Sequence, residues 1–376
     1  MIWGFKTKAT AVLIIGILGL AIFVGNIPMD KNDSYSRNGS NNLNTFSSFQ
    51  EIQEYINGKT SANNFWNINV QFDRPSITKD IDFFSAPMSA YSESASTDYS
   101  TTNIQVEGVD EGDIVKIDGE YAYIVSRNRT KIYMLDVYPP TDLRILSQIE
   151  LNWTISEIYL NENKLLILGI INQYYSDYYD YRSETITKTL VWVYDITDKS
   201  NPVLSRSEQL EGSIISSRMK GDYFYLIVSQ PSGDIESKEN LPAPPYKIHY
   251  IDNSNDNQFY FTNIISINVR YDSQDLENMI ILMGSSNHIY VSTNNIYITC
   301  KSNFPKWEYS KTSDDGYIDI ERTTIFRIAI NKGNIEYKTS GTVPGRALNR
   351  FSMDEHKNYC IFSRFRSFYS HLRIYF

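Results

Sequence analysis

The sequence predicts an all-β fold, a β-propeller of four-stranded blades, behind one membrane-spanning helix. Three observations predict it. A strand, a tight turn and a second strand recur from residue 114 to the C-terminus. Tyrosine and phenylalanine contribute 29 and 18 of the 376 residues, and flat rings suit a pleated, half-buried surface. An uncharged apolar run sits near the N-terminus behind two lysines. A chain of this length can bury one large all-β core or two ordinary ones.

Residues 1–29 read as a signal anchor. Lys6 and Lys8 precede the uncharged run Ala9 to Met29, whose heart, Ala11 to Val24, is apolar on every face. About 20 such residues in a helix cross the hydrocarbon core, and lysines on the N-terminal side hold that end in the cytoplasm and send the rest outward. A cleavable signal peptide is the rival, since the strongest core is nearer to about 15 residues. No small-x-small cleavage pattern follows Phe23 and no cysteine is placed for lipidation, which favours the uncleaved anchor.

Residues 30–45 lack apolar periodicity and read as a flexible linker. Asn32, Asn38, Asn128 and Asn152 each open an Asn-x-Ser/Thr triplet, a pattern that suits an exported chain but recurs by chance where asparagine is common. A short amphipathic helix follows, with Phe46, Phe49, Ile52 and Ile56 near one face and Ser48 with Glu51 placed as a capping box. It opens the segment 46–100, whose remainder from residue 58 is rich in Ser, Asn and Asp and reads as irregular.

The propeller is expected over 101–376. The first copy of the repeat is Tyr121–Ser126 with Lys131–Asp136; the second pairs Lys164–Gly169 with Leu190–Asp195. The third joins Tyr223–Ser229 to Thr262–Asn268, the fourth Asn295–Cys300 to Thr324–Ile330, and the fifth Asn358–Ser363 to His371–Phe376. A further strand often comes next, as at Ile145–Leu151, Val203–Leu210 and Ile335–Gly341, giving about four strands per unit. The aligned strand ends, 126, 169, 229, 300 and 363, lie mostly farther apart than the roughly 40 to 50 residues of a blade. The excess is assigned to loops at 173–184, 230–258 and 302–320. The strands beginning near 114, 155, 214, 289 and 351 are expected to approach a shared axis. A β-sandwich would also supply many short strands, but not one ordered, repeated word.

Two blocks carry a family resemblance. The segment Thr102 to Ser126, with Val106-Glu-Gly-Val-Asp-Glu-Gly-Asp113 at its centre, resembles the entry motif of secreted β-propeller proteins of archaea and bacteria, distantly related to WD repeats. Gly345 to Glu355 resembles a later signature of that family, and the likeness spans roughly residues 46 to 363. It implies a secreted or extracytoplasmic propeller, carries no established reaction, and implies members that continue past this point. Phe376 stands where earlier copies place an aspartate, and the tail Arg364 to Tyr369 departs from the family pattern. The chain therefore reads as truncated or frame-interrupted, with about four and a half blades.

Charge narrows the partners. A formal charge of −9 and a pI near 5.1 argue against nucleic acid, which needs a basic face. Cys300 and Cys360 cannot make a disulfide scaffold and read first as small buried hydrophobes. The histidines at 249, 288, 356 and 371 show no metal-ligand spacing. Glu107, Asp110, Glu111, Asp113 and Asp118 could bind a cation or act as acid and base, but Gly-Val-Asp-Glu-Gly is equally an ordinary turn. Asp252 to Asn257 alternates oxygen ligands without the glycine and distant glutamate of a calcium hand, and Asp314 to Glu321 reads as a hairpin turn first. Tyr174 to Tyr181 could offer aromatic platforms to a sugar or protein, or pack on its own blade. No Gly-x-Ser-x-Gly elbow, phosphate loop or His-Glu-x-x-His occurs.

These readings lead to a membrane-anchored, extracytoplasmic binding or scaffold module, with no catalytic, cofactor or metal residue assigned and a protein or glycan as partner. The rival is an extracytoplasmic hydrolase or lyase acting on polysaccharide through carboxylates in the propeller channel. Such an enzyme would place two carboxylates about 5 to 10 Å apart in a cleft.

Overall fold

The computed structural model describes residues 43–61, 105–176, 183–233, 241–251, 259–304, 320–356 and 359–362. The apolar run Ala9 to Met29, most of the linker, the loop Asp252 to Asn257 and the strand expected at His371–Phe376 lie outside them. Among the described residues no helix is long and apolar enough to cross a membrane.

The described chain starts with strand β1 (Asn44–Thr45) and helix α1 (Phe49–Ser61). The expected capping box forms by half. Ser48 Oγ accepts the Glu51 N–H at 3.2 Å, but Glu51 reaches one residue farther back, to the N–H and hydroxyl of Ser47, each at 2.6 Å. Those bonds hold the Glu51 carboxyl below its ordinary range. Phe46 and Ile52 are buried.

Three antiparallel meanders, one extended sheet and one two-stranded sheet follow. Sheet 1 runs β2 (Val115–Ile117), β3 (Tyr121–Val125), β4 (Lys131–Asp136), β5 (Arg144–Glu150). Sheet 2 runs β6 (Thr154–Asn161), β7 (Lys164–Ser176), β8 (Ser183–Asp195), β9 (Val203–Glu211). Sheet 3 takes β10 (Ser213–Lys220), β11 (Tyr223–Pro231), β13 (Tyr260–Asn268) and β14 (Glu277–Met283), and β12 (Ile248–Tyr250) adds in parallel to β14. Sheet 4 is β15 (Ser286–Val291), β16 (Asn295–Phe304), β17 (Ile320–Asn331), β18 (Asn334–Pro344), and β19 (Met353–His356) pairs with β20 (Tyr359–Phe362) as a fifth sheet. The expected first strands of the repeats begin within a few residues of β2, β6, β10, β15 and β19.

Alternation along the strands stacks each sheet on the next. Leu165 and Ile167 of β7 pack with Tyr123, Ile132 and Met134 of sheet 1, while Leu166 and Leu168 pack with Phe224, Leu226 and Val228 of sheet 3. Tyr225 and Ile227 turn the other way, toward Ile296, Ile298 and Phe326 of sheet 4. Tyr290 and Tyr297 then meet Met353, Cys360 and Phe362. A strand buried on both faces is apolar at most positions, which is why these strands read as near-continuous hydrophobic words. Gly169 permits one tight approach: a Cβ there would sit 2.2 Å from the Thr154 carbonyl oxygen and 2.3 Å from the Trp153 ring.

All three loop expectations need correction; in the third, 302–320, residues 302–304 belong to β16 and Ile320 opens β17. The Tyr-rich stretch is partly strand, because β7 continues to Ser176 and β8 starts at Ser183; only 177–182 lie outside the described residues. The Pro-rich stretch after 230 contains β12. Its backbone takes up β1, and Phe46, Ile52 and Tyr55 pack with Ile248, Phe259, Phe261 and Ile280. The cover hides a sheet edge whose open amides would otherwise invite pairing.

Candidate functional site

The site grows from residues 105–113, which precede sheet 1 in the chain but cross the first strands of later sheets. Asp113 exchanges backbone bonds with Ile158 of β6 (3.3 and 2.8 Å), and Asp110 with Met219 of β10 (2.7 and 3.0 Å). Val109 is buried in the core shared by sheets 3 and 4, Val106 packs on it, and Gln105 Nε2 donates to the Arg350 carbonyl at 3.4 Å. The strap thus pairs with β6 and β10, and by packing and one side-chain bond reaches the core of sheets 3 and 4 and the turn before β19.

Its carboxylates do not form one cluster. Lys116 Nζ donates to both oxygens of Asp110 (2.8 and 2.9 Å) and to the Glu111 carbonyl (2.7 Å). Strand β2 is inverted, with Val115 and Ile117 exposed and Lys116 only 5% exposed, 5.7 Å from the Tyr159 ring centre. Glu111 lies between Arg218 Nη2 (3.2 Å to Oε1) and Arg350 Nη2 (3.3 Å to Oε2). Its enclosed Oε1 meets Arg218 as a charge contact without hydrogen-bond alignment. Opposite-charge pairs inside a fold hold only while both partners remain. Asp113 accepts its neighbour Ile114 N–H at 2.7 Å. Asp118 caps the turn into β3 and accepts the Tyr123 hydroxyl at 3.0 Å, and burial, then Asp118, pushes that phenol upward. Glu107 is exposed.

Close approach completes the hub. The Ser217 hydroxyl donates to Glu157 and shares a 2.8 Å bond with the Tyr159 hydroxyl. Burial raises the Tyr159 phenol well above its usual value. Gly112 lies against Glu157, where a Cβ would come within 2.3 Å of the carboxylate.

A second carboxylate ties sheet 5 to sheet 4. Glu355 accepts Ser292 Oγ (2.5 Å), Asn295 Nδ2 (3.1 and 2.9 Å) and the Tyr297 hydroxyl (3.0 Å), and Arg327 Nε holds Asn295 Oδ1 at 2.9 Å. Burial, with Asp354 alongside, pushes the Tyr290 phenol up to about 12. A cavity of about 370 Å³ lies here between Gln105, Tyr290, Thr293 and Asp354. Another, of about 300 Å³, is lined by His288, Thr299, Lys301, Thr323 and Arg346. Cys300 is buried with Sγ 3.3 Å from Met283 Sδ, and Cys360 is half-buried; neither forms a disulfide. Burial, then Glu355, pushes the Cys360 thiol up to about 11.

Sequence reasoning found the strap's acids but missed Lys116, Glu157, Arg218 and Arg350. One signal was readable: Lys116 takes the inward position of a three-residue strand flanked by valine and isoleucine. Of the other expected sites, Asp252 to Asn257 lies outside the described residues, as does Asp314 to Glu321 up to residue 319. Among the described residues no group of three or more His, Cys, Asp or Glu side chains could hold a metal ion.

Comparison with known proteins places the chain. It is 26% identical over 306 residues to an uncharacterized protein of Methanocaldococcus jannaschii, covering 78% of this chain and 43% of that one. It is 23% identical to an uncharacterized protein of Archaeoglobus fulgidus, covering 94% and 66% respectively. The chain thus spans less than two thirds of either relative. Among solved structures, a mutant of the Synechocystis apocarotenoid oxygenase superposes with TM-score 0.28 at 8% identity, covering 60% of this chain and 47% of that one. The cobalt-substituted enzyme gives 0.27 at 10% over the same shares, and likeness this slight carries no argument. A sequence model of the beta propeller domain matches residues 99–363, the span that holds the strap and every described strand but β1, and the chain belongs to that family.

Proposed function

We propose that this protein is a membrane-anchored, outward-facing propeller that works as a binding or scaffold module. One observation carries the module reading: the axial carboxylates Asp110 and Glu111 are already committed to Lys116, Arg218 and Arg350 of the same chain. An acid–base pair needs a carboxylate free to exchange a proton with substrate, and both oxygens of Asp110 are taken by Lys116 Nζ. The location rests on the apolar run behind Lys6 and Lys8, and the partner expected is a protein or glycan.

Protease added to intact cells tests the location. The propeller is expected to be removed, leaving a short membrane stub; full protection until lysis would overturn the topology. Crosslinking of the full chain in its native membranes tests the module, with a stoichiometric partner as the expected result. Turnover of a polysaccharide by the purified chain, abolished by Asp110→Asn or Glu111→Gln with the fold intact, would replace the module with the enzyme.

A further inference from the structure

We propose that Asn128 and Asn152 are glycosylation sites, each taking an oligosaccharide at Nδ2 from a polyisoprenyl-phosphate carrier. The inference rests on the outward-facing reading above. Both triplets, Asn128-Arg-Thr130 and Asn152-Trp-Thr154, carry the acceptor pattern, and both asparagine side chains are exposed. A pattern alone is weak; its placement here is specific.

Asn128 lies in the turn between β3 and β4. Arg129 adopts φ 57°, and Asn128 Oδ1 accepts the Thr130 N–H at 3.4 Å and the Ser126 hydroxyl at 2.6 Å. This Asx turn places the exposed Asn128 at a tight turn with its amide oxygen engaged. Asn152 lies in the link from β5 to β6. Its neighbours Leu151 and Trp153 are buried, with Trp153 edge-on to Trp192 at 5.3 Å, so alternation turns Asn152 outward, and Thr154 is exposed as well. Trp153 thus fixes what the asparagine presents.

The two sites are neighbours. In an antiparallel meander, the turn between the second and third strands and the link to the next sheet leave from one end. Direct bonds agree: Leu151 N–H donates to the Thr130 carbonyl (2.8 Å), Ile155 N–H to the Arg129 carbonyl (2.7 Å), and Arg129 Nη1 to the Ser156 carbonyl (2.9 Å). The exposed Tyr138 and Leu143, in the link from β4 to β5, leave from the opposite end, which stays bare for a partner.

The transfer balances without any redox partner. The Asn Nδ2 forms a bond to the anomeric carbon of the first sugar, the carbon–oxygen bond to the carrier phosphate breaks, and the amide loses one proton while the carrier leaves as its phosphate.

Mass spectrometry of peptides from the full chain, isolated from its native membranes, is the test. Both peptides are expected to carry a saccharide mass. Asn128→Gln and Asn152→Gln should each remove one step of gel retardation. Thr130→Ala and Thr154→Ala, which keep both asparagines, should do the same. A chain that protease finds outside the cell, but whose two peptides are unmodified, would overturn this inference alone. A protected, unmodified chain would overturn the outward reading and this inference together.

Discussion

Strands β3 and β11 hold the same place, second in their sheets, yet they live in different surroundings. Every residue of β11 from Phe224 to Ser229 is buried, because sheets 2 and 4 cover its two faces. In β3 the cover is less even: Tyr123 and Val125 pack toward sheet 2, while on the other face Ala122 is buried but Ile124 is half-buried and the adjoining β2 leaves Val115 37% exposed. The sequences of the two strands look alike. Apolar alternation records what a strand can bury, and the neighbours decide how much of it is buried.

Core truncation should break the two strands apart most strongly. Leu226→Ala removes a side chain with 0% exposure between two sheets, and such truncations cost about 2 to 5 kcal/mol because the walls relax only partly. Ile124→Ala has less contact to lose, and a cost below about 1 kcal/mol is expected from burial of partial apolar area. Denaturant unfolding of the full chain measures both, and equal losses would show that sheet 1 is covered as fully as sheet 3.

An intermediate effect separates the strap from the outer edge. Arg218→Met leaves Glu111 enclosed with only Arg350 beside it, and breaking such a pair costs about 3 kcal/mol. Arg144→Met removes a pair with Asp136 in which the arginine is 70% exposed, a change worth about 1 kcal/mol or less. The second effect should vanish at high salt and the first should persist. Adding Glu111→Gln to Arg218→Met should recover part of the loss; no recovery would mean that Arg218 acts by packing alone.

The smallest effect distinguishes burial under an edge cover from burial between sheets. Burial lowers the proton affinity of His249, in β12, and of His288, in β15. Each folded ring stays neutral where the unfolded ring, with an ordinary value of about 6.5, gains a proton. Stability therefore falls as pH drops through that region and is regained above it. His249 Nδ1 lacks a hydrogen-bond partner, whereas a bond to the Ala347 backbone opposes the shift at His288. His249→Gln should accordingly flatten the pH dependence of unfolding more than His288→Gln. The reverse order would place the stronger burial in sheet 4.

The repeat was readable because β7, β11 and β16 must be apolar on both faces, which writes a continuous word into the sequence. The strap was readable only as a turn-rich acidic motif. Its meaning depends on Arg218 and Arg350, brought to Glu111 by sheets whose rotation no local pattern encodes. Strand β12 escaped for a related reason: Ile248-His-Tyr250 is too short to show a period, and its partner β14 follows it in parallel. The tyrosines after Gln173 suggested a loop because they follow the aligned strand end at Gly169, but the ladder continues through them.

The strap also sets an order of events. Its residues are synthesised before any sheet, but its bonding sites arrive with Ile158, Met219 and finally Arg350, 245 positions after Gln105. Contacts of such sequence separation form late, because a long loop must close before they return any stabilisation. Neighbouring sheets can therefore stack as they emerge, while the strap is fastened in steps, at Asp113 once sheet 2 exists, at Asp110 once sheet 3 exists and at Gln105 last. Val109 stays exposed until sheets 3 and 4 have formed the core that encloses it.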